Sequence, residues 1–244
     1  MSMYNQMKIC KHCENEVVDI FCAHCGHPQE LQRINRKYIV SEIGSVLNFH
    51  KGILYTIREL LLRPGLNIKK FILEDRTRLV KPIIFIIVCS LIYTVAQQFL
   101  HFEDGYVNYQ ESGDSTTKKI FQWVQENYGY ANVLMAIFIG FWIKILFRKY
   151  DYNFFEILIL LCFVMGIGML IYTLFGIVES ITKFRILHIG GVIGFMYAGW
   201  AIGRFFDKGK KINYFKGFIA YMLGMTSFTF AVVILGKLID FLIK

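Results

Sequence analysis

Charged residues are scarce in this 244-residue chain. Asp, Glu, Lys and Arg make up 18% of the sequence, whereas 55% of it is hydrophobic and 16% is aromatic. Soluble domains are about a quarter charged, so the deficit excludes an ordinary soluble protein over most of the chain. The shortage is uneven, because residues 1–81 carry many charges and long apolar runs dominate from Pro82 onward. This division predicts a soluble N-terminal part followed by a membrane part.

Signals for several particular activities are also missing. Residues 1–30 hold no short apolar run followed by a small-residue cleavage site, so no secretory signal is predicted and the N-terminal region is expected to stay in the cytosol. The motifs H-E-x-x-H and G-x-S-x-G do not occur, which removes two common hydrolase signatures. The centres of the predicted spans hold no Asp, Glu, Lys or Arg, whereas ion-coupled carriers keep ionisable residues there. We therefore expect neither an enzyme nor an ion-driven pump.

Five apolar segments approach or exceed the length of about 20 residues that a spanning helix needs. They cover residues 82–100, 131–147, 154–178, 186–206 and 215–235. The second is the shortest and holds Lys144 near its end. The net charge of +9 is interpreted first as a topology signal, because loops rich in Lys and Arg alternate with acidic or mixed ones. Basic loops stay cytoplasmic, so five spans predict a cytoplasmic N-terminus and an external C-terminus.

Four of the six cysteines form two C-x-x-C pairs near the N-terminus, Cys10 with Cys13 and Cys22 with Cys25. Two such pairs brought together supply the four thiolates that structural zinc prefers. About 20 residues cannot bury a core, so the metal would supply the folding energy. A disulfide pair or a redox motif is the alternative, but a cytosolic location and the lack of a βαβ context argue against both. Because all four ligands are cysteines, no position is left open for a catalytic water, and the site is predicted to be structural.

Other residues near or beyond these pairs offer further ligands. His12, His24 and His27 lie beside the cysteines and could replace a ligand or bind a second metal, although solvent-facing positions explain them more simply. Cys89 and Cys162 stand alone inside apolar runs. A lone cysteine in such a run is interpreted as a small buried apolar residue.

The segment before the first span has the pattern of amphipathic helices. Apolar residues recur at three- and four-residue steps over residues 37–63, which predicts a helix with one apolar face, interrupted at Asn48 or Gly52. Pro64 then opens a second short helix, because proline is favoured in a first helical turn. The basic residues predicted to lie at the membrane surface are Arg63, Lys69, Lys70, Arg76 and Arg78. Short basic amphipathic helices lie at the membrane interface; the alternative is docking onto the spans or onto a partner protein.

Small residues recur at four-residue spacing in the last two predicted spans. The pairs are Gly190 with Gly194, Gly199 with Gly203, and Ala220 with Gly224. This spacing lets helix backbones approach closely in lipid. Packing within one chain is one explanation, and a dimer face on the fourth predicted span, hence a homo-oligomer, is the other.

The two cysteine pairs are followed by Thr56-Ile-Arg-Glu-Leu60, Arg63-Pro64-Gly65 and Lys81-Pro82. This succession resembles a bacterial family of zinc-ribbon-headed, multi-span membrane proteins that is known only as a domain of unknown function. The resemblance covers residues 10–100 and implies metal binding by the four cysteines and a location in the bacterial inner membrane; it implies no role for the Arg-Pro-Gly element. The five-span plan with its N-terminus inside is also similar in topology to the Ypt-interacting (Yip) family of membrane-trafficking proteins.

The sequence thus predicts an all-α membrane protein with a zinc ribbon over residues 1–30, amphipathic juxtamembrane helices over 31–81 and a five-helix bundle over 82–244. A closed zinc site beside a basic surface helix favours an adaptor or membrane-organising protein that recruits a cytosolic protein partner. The alternative is handling of a lipid or neutral solute along polar residues of the bundle, namely Ser90, Thr94, Thr173, Tyr197, Tyr221 and Ser227. Membrane lipids are expected partners. Nucleic acid is not, because charges around the cysteines nearly balance.

Overall fold

A computed structural model of the chain describes residues 8–10, 13, 15–17, 22–25, 52–103 and 116–243. The chain divides into two compact units, residues 1–47 and 48–244. The first unit contains β1 (Lys8–Ile9) and β2 (Glu16–Val17). The helices described in the second unit are α1 (Ile53–Leu62), α2 (Pro64–Leu73), α3 (Pro82–Leu100), α4 (Thr116–Glu126), α5 (Tyr128–Leu146), α6 (Phe154–Thr182), α7 (Leu187–Phe206) and α8 (Lys211–Ile243). Apart from the two short strands, the described structure is helical.

Four of these helices are long and apolar enough to cross a membrane. They are α3, α6, α7 and α8, the last over Lys211–Leu242. The chain is therefore a membrane protein, as the scarcity of charge predicted. The apolar part of α5, Tyr130–Leu146, is shorter. Length and composition alone therefore support four spans and not the five predicted.

Helix α6 occupies the centre of the second unit and packs against α3, α5 and α7 as well as α1 and α2. Its start is fixed by a capping box in which Asn153 and Glu156 each accept a hydrogen bond from the other's backbone N–H. A helix that is apolar on every side is expected in a core. The contacts of Phe163 show how α6 fills this position. The Phe163 ring lies 5.4 Å from Phe71 of α2 and 5.7 Å from Phe85 of α3, measured between ring centroids.

The juxtamembrane helices α1 and α2 lie against the spans. Pro64 is the first residue of α2, which confirms the predicted break after α1. Leu60 and Ile68 are fully buried, and the Tyr197 hydroxyl of α7 donates to the Leu60 carbonyl at 3.1 Å. Protein therefore covers part of the apolar surface of this hairpin, as in the docking alternative, whereas Leu54, Leu61, Leu62, Leu66 and Leu73 remain exposed. Contact between its basic residues and lipid stays a prediction.

The glycines of α7 mediate helix packing within the chain. Of the four glycines in the predicted small-residue pairs, Gly190 and Gly194 face α6, and Gly199 and Gly203 face α8. A Cβ added at Gly190 would lie 2.6 Å from the Cβ of Phe175 in α6, and one at Gly203 would lie 2.7 Å from the Cα of Tyr214 in α8. Two different neighbours in the same chain thus account for the two small-residue pairs. A homo-oligomer stays a prediction.

Candidate metal centre

The four N-terminal cysteines lie together in the first unit. The Sγ atoms of Cys10, Cys13, Cys22 and Cys25 all lie within 4.8 Å of one another. Cys10 Sγ is 3.5 Å from Cys25 Sγ, and Cys13 Sγ is 3.5 Å from Cys22 Sγ. Each close contact therefore joins one C-x-x-C pair to the other. We call these four residues the four-cysteine cluster.

The spacing of the sulfurs fits a single metal ion. A tetrahedral ion with metal–sulfur bonds of about 2.3 Å holds its four sulfurs roughly 3.8 Å apart. Here two of the sulfur pairs are 3.5 Å apart, and all the sulfurs lie within 4.8 Å of one another. A disulfide would need a sulfur–sulfur distance of about 2.05 Å, and none of the four cysteines forms one. The four-cysteine cluster could therefore hold a metal ion.

The hairpin formed by β1 and β2 holds the first cysteine pair. The strands are antiparallel, with Ile9 opposite Glu16, and the next backbone N–H, that of Cys10, donates to the Asn15 carbonyl at 2.9 Å. The Asn15 side-chain amide lies 3.7 Å from Cys13 Sγ, where it can donate to the sulfur. Donors of this kind orient a ligand and stabilise its charge. Asn15 was not predicted from the sequence, where its only signal is an amide two residues after Cys13.

Backbone groups favour the thiolate form at Cys22. The backbone N–H of Cys25, donating to Cys22 Sγ, lowers the pKa of that thiol, with a smaller contribution from the N–H of His24, although burial opposes the shift. Metals bind the thiolate and not the thiol. Cys10 and Cys22 are each 2% exposed, whereas Cys25 is exposed. The cluster thus has a buried side and an open edge.

The other ligands considered from the sequence do not join the cluster where they are described. Among the residues that the structure describes, the cluster contains only cysteines, so His24 is not a member. His12 and His27 lie outside the described residues. Cys89 is buried in the bundle core and Cys162 is partly buried against it, as predicted for lone cysteines in apolar runs.

The basic residues predicted at the membrane surface have different environments. Arg63 and Arg76 are exposed, Lys70 is partly buried, and Arg78 lies 3.9 Å from the Glu59 carboxylate. Lys69 donates from its Nζ to the Phe206 carbonyl at the end of α7, at 3.1 Å. Two of the five, Arg63 and Lys69, line one pocket together with Arg204 and Lys208. The structure therefore separates them into pocket residues and surface residues.

The polar residues proposed for a path through the bundle do not gather in one place. Among the six, only Tyr221 lines the open cavity of about 240 Å³ between α3, α5, α6, α7 and α8. The Thr173 hydroxyl donates to the Met169 carbonyl at 2.8 Å, and the Ser90 hydroxyl lies 3.4 Å from the Met169 sulfur. The Tyr197 hydroxyl donates a hydrogen bond to the Leu60 carbonyl of α1. Most of these polar groups therefore serve contacts within and between helices.

Comparison with known proteins identifies one similar segment. Residues 51–94 match a family described as a protein of unknown function (DUF3667). The match runs from the residue before Gly52 through α1 and α2 into α3, covers about a fifth of the chain and does not include the four-cysteine cluster. No curated protein and no solved structure matches the chain. The match supports the resemblance to a family of unknown function over the segment that carries Arg63-Pro64-Gly65.

Proposed function

We propose that the protein is a membrane-embedded adaptor whose four-cysteine cluster binds structural zinc and presents a small cytosolic zinc ribbon to a protein partner. The observation that carries this proposal is the closed set of four sulfurs, all within 4.8 Å of one another, in a unit that is compact apart from the bundle. A set of four protein ligands leaves no open position for substrate. The ion would then maintain a surface, and that surface is what a partner would recognise.

Zinc is the metal that suits these ligands best. Four thiolates in a tetrahedral arrangement are typical of zinc and of iron–sulfur sites, and two C-x-x-C pairs in a unit this small are typical of structural zinc. The residues that would hold the ion are Cys10, Cys13, Cys22 and Cys25. Bound zinc supplies folding free energy to units too small to bury a core.

The proposal includes a fifth span, formed by α5. Near the middle of α5, Gly224 of α8 fits so closely against Ile139 that a Cβ there would meet its backbone. At the end of α5, Lys144 Nζ donates to the Tyr152 carbonyl at 2.6 Å, and Asn213 near the start of α8 donates to the Tyr150 hydroxyl at 2.7 Å. Helix α5 thus runs beside α8, antiparallel to it, down to the loop before α6.

Five spans would place the N-terminus in the cytoplasm and the C-terminus outside, because the basic loops would then all be cytoplasmic. We place the protein in the bacterial inner membrane because residues 10–100 resemble a bacterial family. The same plan is similar to that of the Yip family, for which the implied role is membrane trafficking. A cytosolic ribbon attached to a membrane bundle suits recruitment in either setting.

Two measurements on the full chain test the adaptor function. Protein purified under reducing conditions with metal present should contain about one zinc per chain, measured by inductively coupled plasma mass spectrometry. Crosslinking in intact cells should then capture the same protein partner repeatedly from wild type. The C10A/C13A variant, which removes one C-x-x-C pair, should lose both the zinc and the partner.

The matched control is C162A, which removes a thiol from the bundle and leaves the four-cysteine cluster intact. This variant should keep its zinc and its crosslinked partner. A wild-type protein without zinc would refute the metal site. A partner captured equally by C10A/C13A would refute recruitment through the ribbon while leaving the metal site unchallenged.

The cavity in the bundle supports a second candidate function, the handling of a lipid chain or a neutral solute. Its walls include four methionines and four glycines, Met135, Met165, Met169, Met225, Gly168, Gly190, Gly191 and Gly194. The lining is mostly apolar and adaptable, with Glu103 and Asn132 among its polar groups. Nothing lies within 4 Å of a Cβ added at Gly168, so G168L should fill the cavity without disturbing the backbone. Lipid scrambling by reconstituted protein that G168L abolishes would favour this function over the adaptor.

A further inference from the structure

A basic pocket of about 520 Å³ lies where the start of α2 meets the end of α7. Its lining includes Arg63, Gly65, Leu66 and Lys69 from the α2 side, and Arg204 and Lys208 from the α7 side. We call this site the Arg-Pro-Gly pocket, after the sequence element Arg63-Pro64-Gly65 that forms one wall. All of its residues belong to the second compact unit.

The sequence of the element explains the close meeting of the two helices. Arg63 ends α1 and precedes α2 with a non-helical backbone, and Pro64 begins α2. Gly65 then lies so close to the backbone of Arg204 and Phe205 that no Cβ could fit between them. The first turn of α2 is thereby brought to the last turn of α7.

Positive charge predominates in the pocket. Arg63, Lys69, Arg204 and Lys208 line it together with a single carboxylate, that of Asp207. The Asp207 carboxylate accepts the backbone N–H of Gly209 at 3.0 Å and pairs with Lys210 at 3.2 Å.

In the described structure three of the four cations have no carboxylate partner, although the Arg204 guanidinium also lies 5.1 Å from the centroid of the Trp200 ring. Within the described ranges, no carboxylate oxygen lies within 4.0 Å of the side-chain nitrogens of Arg63, Arg204 or Lys208. Burial lowers the pKa of the Lys69 ammonium, and Coulombic attraction to Asp207 opposes the shift. A bound anion would oppose that shift further and would also neutralise the uncompensated charge.

Backbone donors add to the side chains at the start of α2. The N–H of Asn67 closes the first helical turn on the Arg63 carbonyl at 3.1 Å. The N–H groups of Gly65 and Leu66 come before that bond, and both residues line the pocket. N–H groups at this position have no acceptor within their own helix, and together with the helix dipole they favour an anion.

We propose that the Arg-Pro-Gly pocket binds a phosphate group, carried either by the headgroup of an anionic phospholipid or by a soluble phosphate ester. Two guanidinium groups match phosphate oxygens in geometry as well as charge, and the helix start supplies backbone donors. Basic pockets between helices at the cytoplasmic membrane surface are suited to lipid phosphates. The volume is many times the roughly 30 Å³ of one water, so it accommodates a phosphate with the glycerol attached to it.

Native mass spectrometry of the detergent-purified full chain tests this site, with phosphatidylglycerol, phosphatidylcholine and glycerol 3-phosphate as probes. Wild type should bind one phosphatidylglycerol more tightly than phosphatidylcholine. The variant R63Q/K208Q removes two exposed pocket cations and should weaken that binding on the order of tenfold or more, because charge-assisted contacts are lost. The matched control R76Q/K81Q removes two exposed cations outside the pocket and should leave binding within about twofold. Equal melting temperatures would show that both variants are folded.

The probes distinguish the two sources of phosphate. Selective loss of phosphatidylglycerol in R63Q/K208Q, with no effect of glycerol 3-phosphate, identifies a lipid headgroup. Binding of glycerol 3-phosphate that competes with the lipid identifies a soluble phosphate ester. Equal weakening in both variants, or no preference for phosphatidylglycerol together with no binding of glycerol 3-phosphate, overturns the proposal. The site does not depend on the adaptor function, because zinc content and partner crosslinking are measured separately.

Discussion

Replacing Gly65 with alanine should loosen the contact between α2 and α7. A Cβ at this position would meet the carbonyl group of Arg204 and the amide nitrogen of Phe205. These are backbone atoms of a helix, so they cannot rotate aside as a side chain could. The helices must therefore separate at this point. The hydrogen bond from Lys69 to the Phe206 carbonyl joins the same two helices and would be weakened. G168A is the matched control, because a Cβ at Gly168 has nothing within 4 Å and neither glycine has a positive φ.

Two opposing effects determine the magnitude. Alanine in a helix is favoured over glycine by about 0.5–1 kcal/mol, and both variants receive this benefit. Overpacking against a rigid neighbour costs about 1–3 kcal/mol, and only G65A carries that cost. We therefore expect G65A to lower the free energy of unfolding by up to about 2.5 kcal/mol, and to be about 1–3 kcal/mol less stable than G168A. G168A should leave it unchanged or raise it by up to about 1 kcal/mol.

Thermal unfolding in detergent, followed by tryptophan fluorescence, measures the difference. A change of 1 kcal/mol shifts the melting temperature of a chain of this size by about 2–4 °C, so G65A should melt several degrees below G168A. If both variants melt together, α2 does not pack on α7 as the structure has it, and the Arg-Pro-Gly pocket loses one of its walls.

Three other perturbations give further predictions. The Asn67 side-chain amide donates to the carbonyl and carboxylate of Glu59 at 3.1 and 2.9 Å and to the Arg63 carbonyl at 3.1 Å. The variant N67D places a carboxylate oxygen opposite these acceptors, so it should lower the free energy of unfolding by about 2–5 kcal/mol in the same assay. The Gly209 N–H lowers the pKa of Asp207. This carboxylate therefore stabilises the fold above its unfolded pKa, and the contribution is lost as the pH falls through its folded pKa. The melting temperature of D207N should depend less on pH than that of wild type below about pH 4. If the proposed zinc is bound, a chelator should expose the four-cysteine cluster to maleimide labelling while the melting of the bundle stays unchanged, because the two units are separately compact. A lower melting temperature of the bundle would contradict this.

Features set by local chemistry could be predicted from the sequence. Pro64 begins α2 because its ring suits a first turn wherever the helix lies. The apolar lengths of α3, α6, α7 and α8 are properties of single segments, and they were recognised, although α8 begins at Lys211 and not at residue 215. The four-cysteine cluster follows from spacing within 16 residues. None of these features requires knowledge of a distant contact.

Features set by distant contacts could not be predicted. Periodicity shows that α1 and α2 have an apolar face, but lipid and protein cover such a face equally well. The bond between Tyr197 and the Leu60 carbonyl joins residues 137 positions apart, and nothing in either local sequence indicates it. For the same reason Arg204 and Lys208 were not recognised as neighbours of Arg63, and the pocket that they form was missed.

The segment similar to the family of unknown function cannot form its observed structure alone. Residues 51–94 contain Leu60, Gly65 and Phe71, yet the groups that these residues contact, on α6 and α7, lie outside the segment. Two ten-residue helices and residues 82–94 of α3 bury too little apolar surface to be stable by themselves. A protein similar to this chain over these residues therefore needs a receiving helix whose backbone is accessible to Gly65. The Arg-Pro-Gly element is thus half of a contact, and its function, including any phosphate binding, requires the helix that completes it.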